Sequence, residues 1–323
     1  LGAVLALLAH FEMFRLPNAT LFDVAVSNVA PGPPRALVVR AEPAEVPRVI
    51  ERLRELGVNR IAVTSSLAQR GVRAPGVLIG WTPAQVPGTD FWWVPDEGLI
   101  VADFVPLNQG QIARRALLRL SGERRPIPTL EGAVAPEAYG SSEVYLALSP
   151  QTIMPTVRGE DLLQRDLPFG SIEDVDVVIG PPVLQDPPRI RTSALPGSVA
   201  VSAAGFHARA FHALSSGAVA IPVDGFARAS LLIGLSVLLA VLLAWVPRRH
   251  QVATAVLAAA SAFALSMTMI TLAGVLLPIA ELVLVALGTG LAVHLLERRE
   301  RRQAIAHLGE SLVGRLRQQR VLQ

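Results

Sequence analysis

The chain has 323 residues, 51% of them hydrophobic, and a mean hydropathy of +0.46. That is too apolar for an ordinary soluble globule and excludes a disordered or fibrous protein, so lipid contact is expected. All 29 basic residues are Arg, against 26 acids, and the absence of Cys excludes a disulfide framework, a thiolate zinc site, an iron–sulfur cluster and a Cys nucleophile.

At the start, LGAVLALLAHFEMF (1–14) reads as the outer half of a first membrane span. A signal-peptide core is the alternative, but no small-residue cleavage site is evident. Because the first residue is Leu, the chain is expected to be part of something longer. Residues 16–226 then read as one domain outside the membrane. ALVVRA (36–41) is a β-rich apolar run, and Pro43 opens an amphipathic helix with Val46, Val49, Ile50, Leu53 and Leu56 on one face and Gly57 as its stop. RIAVTS (60–65) is the next strand, and the strand–helix–strand pattern predicts two parallel neighbours in one sheet. Further strands are expected in GVLIGW (76–81), GLIVADFV (98–105), EVYLAL (143–148) and DVDVVIG (174–180). A helix from about Ala204 to Leu214 is closed by Gly217. The sum is an α/β sandwich with a mostly parallel sheet and, given the 25 Pro, long irregular connections.

Three uncharged or nearly uncharged runs follow, Ala229–Val246, Val252–Leu272 and Leu276–Leu296. Each is long enough to cross a hydrocarbon core of about 30 Å. The link at 247–251, PRRHQ, and the run ERRERR at 297–302 are basic, whereas the turn near Gly274 and Pro278 is not. The positive-inside rule therefore places the first and last of these inside, with the large domain outside. Charge counts agree: residues 16–226 carry 18 Arg and 21 acids, a net of −3, and the rest carry 11 Arg and 5 acids, a net of +6. A nucleic-acid binder would instead need a basic face with interleaved aromatics on the soluble domain, and none is present.

Small residues recur every four positions at Ala255 and Ala259, at Ala258, Ala262 and Ser266, and at Ala286 and Gly290. This pattern predicts a close-packed helical unit or dimer interface, or reflects no more than an Ala-rich chain. Glu281 and His294 sit near opposite ends of the last span, where snorkelling to the interface explains them more simply than a proton path. The tail ERRERRQAIAHLGESLVGRLRQQR aligns Ile305, Leu308, Leu312 and Leu316 in one stripe, suited to pairing with a second copy and relaying a shift or rotation. A basic membrane-anchoring tail is the alternative.

Several local patterns accompany this plan of one apolar helix, an α/β domain and three more helices. They are the Asp of LFDVAVS (21–27), the paired Arg closing NQGQIARR (108–115), DVDVVIG (174–180), LPG (195–197) and GFHARAFHALSSG (205–217). In this order they resemble the CHASE type 2 sensors of bacterial adenylate cyclases, histidine kinases and Ser/Thr kinases, although Asn108 and Gln109 stand where that family usually has acids. The resemblance implies an extracytoplasmic sensor of a small molecule or a periplasmic protein, in a bacterial inner-membrane homodimer, signalling to an adenylate cyclase or kinase domain beyond Gln323. The rival reading is a structural or scaffold subunit of a larger membrane assembly.

Recognisable chemistry is sparse. There is no GxGxxG, GxxxxGK[ST] or GxSxG. His207 and His212 are five residues apart, which puts them on different helix faces and argues against zinc. No catalytic residue, metal site or cofactor is expected. A small ligand would bind at the carboxyl edge of the parallel strands, which offers Arg40, Thr64, Ser65, Ser66 and Gly180; the same residues also read as ordinary strand ends. Asp90, Phe91, Trp92 and Trp93 form an aromatic cluster, equally readable as a recognition loop, as core or as a membrane-surface contact.

Overall fold

The computed structural model describes residues 15–27, 32–69, 74–96, 99–107, 112–135, 141–149, 151–164, 172–223 and 225–321, with side chains between 18 and 305. In chain order α1 (Arg15–Val26) precedes β1 (Ala36–Arg40), α2 (Val46–Glu55), β2 (Arg60–Val63), a short α3 (Ser65–Ala68), β3 (Leu78–Trp81) and β4 (Ile100–Ala102). Then come β5 (Arg115–Leu117), α4 (Leu130–Val134), β6 (Glu143–Leu146), β7 (Thr156–Arg158), α5 (Gly159–Gln164), β8 (Asp176–Gly180), α6 (Ala203–Ser216) and β9 (Val219–Pro222). Three long helices complete the chain: α7 (Gly225–Trp245), α8 (Arg248–Ala273) and α9 (Ile279–Val321), with β10 (Val275–Leu276) between the last two. Residues 19–222 and 269–276 form an α/β unit; the described parts of 1–18, 223–268 and 277–323 form a helical unit.

In the α/β unit six parallel strands lie in the order β7-β1-β8-β2-β3-β4. Side chains alternate across a strand. Leu37, Val39, Ile61, Val63, Val177 and Ile179 therefore face α2, α3 and α5, whose Val46, Val49, Ile50, Leu53, Leu67 and Leu162 complete one core. Ala36, Val38, Ala62 and Val178 face the other way, onto Leu130 and Val134 of α4 and Ala204, Ala208 and Phe211 of α6. The opposite side of α6 presents Phe206, Ala210, Ala213 and Leu214 to a second sheet, ordered β10-β9-β6-β5. Helix α6 is thus enclosed by two sheets, and from Phe206 to Leu214 every residue is buried.

Two expectations are corrected. Strands β1 and β2 are parallel members of one sheet but not neighbours, because β8 is inserted between them. All five β8 residues are buried, which suits the centre of a parallel sheet covered on both faces. EVYLAL contributes β6 to the antiparallel part of the second sheet. Helix α2 begins at Val46, not at Pro43, with Pro in its first turn; Gly57, at φ +71°, ends it in the left-handed region.

In the helical unit Gly225–Trp245, Arg248–Ala273 and Ile279–Ile305 are each long and apolar enough to cross a membrane. Leu232, Leu239, Leu243, Val285 and Ala286 pack inward, whereas Val237, Leu238, Val241, Leu242, Leu257 and Leu265 are exposed, as an apolar exterior facing lipid requires. The small-residue rows lie at the contacts: a Cβ on Gly290 would stand 2.3 Å from the Cβ of Ala255. Glu281 does not snorkel. It is fully buried and accepts hydrogen bonds from Arg228 and from Asn18 Nδ2 at 2.6 Å. Asn18 Oδ1 in turn accepts the Ala280 amide at 2.8 Å. A carboxylate among apolar helices is retained where partners neutralise it. His294 is partly exposed. The first span read at 1–14 lies outside the described residues. Helix α9 carries Ile305, which is exposed, and continues through Leu308, Leu312 and Leu316, whose side chains lie outside the described residues.

Candidate functional site

The carboxyl edge of the parallel sheet carries hydrogen-bonded polar side chains around Arg40 and around Thr64. Arg40 closes β1 directly opposite Gly180, the last residue of β8. Its Nη1 donates to Pro181 O at 3.0 Å and Asp186 Oδ2 at 2.8 Å, and its Nη2 to the Ser202 hydroxyl. The Asp186 carboxylate also accepts the Ala203 and Ala204 amides at 2.9 and 3.2 Å, and Ser202 Oγ accepts the Gly205 amide at 3.1 Å. The N-terminus of α6, whose first N–H groups have no partner within the helix and whose dipole end is positive, is therefore capped by the chain's own carboxylate, and Arg40 neutralises it. Gly180 allows the approach: a Cβ there would lie 2.6 Å from that of Ala204.

Further along the same edge Thr64 ends the run of β2, its amide donating to Ile179 O at 3.0 Å and its hydroxyl 3.2 Å from that of Ser66. Thr64 is buried, Ser65 partly and Ser66 exposed. The Ser65 amide donates to Asp103 Oδ2 at 2.6 Å. Asp103 follows β4 and reaches Ser65 across β3 because β3 has Gly80 at the crossing point, where a Cβ would meet Val63 O at 2.9 Å and Asp103 Cβ at 3.0 Å.

Asp103 is one side of a buried clamp. Its Oδ1 lies 2.8 Å from His207 Nε2, and His207 Nδ1 contacts Glu131 Oε1. Glu131 sits in the first turn of α4, which Thr129 starts by accepting the Gly132 amide at 3.0 Å. Burial works to lower the His207 pKa, but the charges of Glu131 and Asp103 outweigh it and hold it well above its ordinary value. Burial likewise works to raise Asp103, and the imidazolium overrides it, leaving that carboxyl below its usual range. Both ring nitrogens of His207 donate inward, so it has no nitrogen left to act as a base towards a substrate. The arrangement locks α6, α4 and the ends of β2 and β4 together through one cation and two carboxylates.

A third cluster joins distant segments. Arg114 Nε donates to both oxygens of Asp23, at 2.8 and 2.9 Å, and Asp23 Oδ2 also accepts the Ala194 amide at 2.9 Å. Both side chains are almost wholly buried. Beside them Arg209 donates to the carbonyls of Thr152 and Ser149, and burial lowers its pKa to about 10, so it stays a cation at neutral pH. Its charge, after burial, helps keep His212 below the ordinary imidazole range.

Of the residues proposed at the strand ends, Arg40 and Gly180 are brought together and turned to holding Asp186, and Thr64, Ser65 and Ser66 form a separate group beside Asp103. His207 and His212 diverge, as their spacing implies: His212 Nδ1 accepts the Arg35 amide at 3.2 Å. No group of three or more His, Asp or Glu positioned for a metal occurs among the described residues. Trp92 is partly buried, edge-on to Phe104 at 5.3 Å, and Trp93 is exposed. Sequence reasoning missed Asp103, Glu131 and Asp186. The available signals were an Asp ending an apolar run and a Glu two residues after the capping Thr129. Comparison with protein-family models, curated proteins and solved structures finds no match to this chain.

Proposed function

We propose that the chain is the sensing and membrane portion of a bacterial signal-transduction receptor, with the α/β unit on the outer side of the inner membrane. The chain works as a homodimer and passes its signal to an adenylate cyclase or kinase domain beyond Gln323. The observation that carries the reading is α9. Its 43 residues run without a break from an apolar span into the Arg-rich tail, a length of about 64 Å at 1.5 Å per residue. Such a rod transmits a shift or rotation of its membrane half without a hinge to absorb it. Two further features support it. Asp23 and Arg114, from two of the segments that resemble the CHASE type 2 pattern, meet in one buried pair. Asn18 of α1 bonds both the side chain of Glu281 and the first turn of α9, so a displacement of α1 bears on the output helix. Ligand affinity that differs between two packings of the helices would then shift their populations.

The test uses the chain's lack of Cys. Single substitutions Leu184→Cys, at a side chain 96% exposed in the α/β unit, and Ile305→Cys are placed in the full chain in bacterial membranes. An impermeant maleimide is expected to label Leu184→Cys in intact spheroplasts, and Ile305→Cys only after permeabilisation. Oxidative cross-linking is expected at Leu308→Cys and Leu312→Cys but not at Gln303→Cys. Reversed labelling overturns the orientation, and equal or absent cross-linking along the tail overturns the paired relay.

A further inference from the structure

Arg114 and Arg209 line the same cavity. Its other walls include Phe22, Val26, Leu146 and Leu148. Within it the charges do not balance. Asp23 neutralises Arg114 through Nε alone, and its Oδ2 is shared with the Ala194 amide. Arg209 has only neutral carbonyls as acceptors, and no carboxylate among the described residues forms an ion pair with it. One carboxylate and two guanidinium groups leave a net charge of +1. Three guanidinium nitrogens of these two lining residues, Nη1 and Nη2 of Arg114 and Nε of Arg209, are buried without a protein acceptor, and both residues are about 98% removed from solvent.

Burying a cation without a counter-charge costs several kcal/mol, and buried N–H donors without acceptors add to that cost. An anion seated between the two groups removes both penalties. Size restricts its identity: the cavity has a volume of about 10 Å³, roughly what one water needs. A halide ion is therefore admitted only as the lining side chains yield by a few tenths of an ångström, and sulfate, phosphate and organic carboxylates are larger still. A monoatomic halide, weakly hydrated like the guanidinium itself, matches the charge, the donors and the apolar walls.

We propose that the space between Arg114 and Arg209 is a binding site for a single monoatomic anion, chloride in physiological media. The site stands whether or not the chain is a receptor. Chloride there holds α6, which carries Arg209, against the segments carrying Arg114 and Asp23, and so ties the centre of the α/β unit to α1.

The test follows thermal unfolding of the full chain in detergent while sodium gluconate is replaced by sodium chloride or bromide at constant ionic strength. The midpoint should rise by about 3–5 °C for each tenfold increase in halide above its dissociation constant. Chloride and bromide should act alike, and sulfate should have no such effect. Arg209→Met should abolish the dependence. A midpoint indifferent to halide overturns the proposal, as does a halide effect that survives in Arg209→Met. If that variant does not fold, anomalous scattering from wild-type crystals grown in bromide decides: a peak within 3.5 Å of the Arg114 and Arg209 nitrogens supports the site, and a water refined there in place of bromide overturns it.

Discussion

The His207 clamp predicts an unusual pH signature when its cation is removed. In His207→Gln the amide is close in size to the imidazole, so little packing is lost, but Glu131 and Asp103 are left facing each other without a positive charge. Breaking a buried ion pair by deleting one partner costs about 3–5 kcal/mol, which for an α/β unit of this size corresponds to about 6–20 °C in the unfolding midpoint. The penalty should depend on pH from both sides. His207 is held above its unfolded value of 6.5, so its contribution is complete below that pH and is lost as pH rises through the folded pKa. Asp103 is held below its unfolded value of 3.8, so its contribution is present above that pH and fades as pH falls through the folded pKa. In the variant the orphaned carboxylates relieve their repulsion by taking up protons as the medium is acidified. The difference in midpoint between wild type and His207→Gln should therefore be greatest just below pH 6.5. It should shrink towards pH 4, and again as pH rises above 6.5 through the folded pKa of His207. Differential scanning of both proteins in detergent across pH 4–10 measures it. A penalty constant over that range would mean that His207 is neutral in the fold and that the loss is one of packing alone.

Two glycines give further checks. Gly80→Ala places a methyl group against Val63 O and Asp103 Cβ; it should push Asp103 away from the Ser65 amide, speeding hydrogen exchange there at least tenfold and lowering stability by about 1–3 kcal/mol. Gly290→Leu should wedge α8 from α9 at Ala255 and lower the stability of the helical unit by a similar 1–3 kcal/mol. By contrast Gly234→Leu on α7, where nothing lies within 4 Å of the added Cβ, should leave it unchanged.

Most of the sheet was legible because its strands are short apolar runs bounded by Gly, Pro or charge, and α2 because its apolar and charged residues separate cleanly around one helix. The three apolar helices after the α/β unit were legible from their length and lack of charge. The order of strands was not, since the chain read from β1 to β2 gives no sign that a strand from 176–180 will enter between them; that choice rests on which strand buries best on both faces. Glu281 misled for a related reason. A lone acid near the end of an apolar run looks free to reach water, and its partners Arg228 and Asn18 are 53 and 263 residues away.

The charged clusters show where local reading reaches its limit. A helix with one wet face advertises that face in its periodicity. Helix α6 has none, because sheets cover it on both sides, and its Ala residues let both come close. Its His207, Arg209 and His212 thus look like ordinary polar positions on a mixed helix, yet all three are buried. What makes that tolerable comes from elsewhere in the chain: Glu131 and Asp103, 76 and 104 residues away, for His207, and the carbonyls of Ser149 and Thr152 for Arg209. A buried cation must be answered by charge or by dipoles. The two cations receive different answers: His207 has an excess of carboxylate, and Arg209 has none among the described residues. Since ionic groups at the centre of a domain are costly unless matched, the unmatched one is the place where the fold should respond to a change in its ionic surroundings.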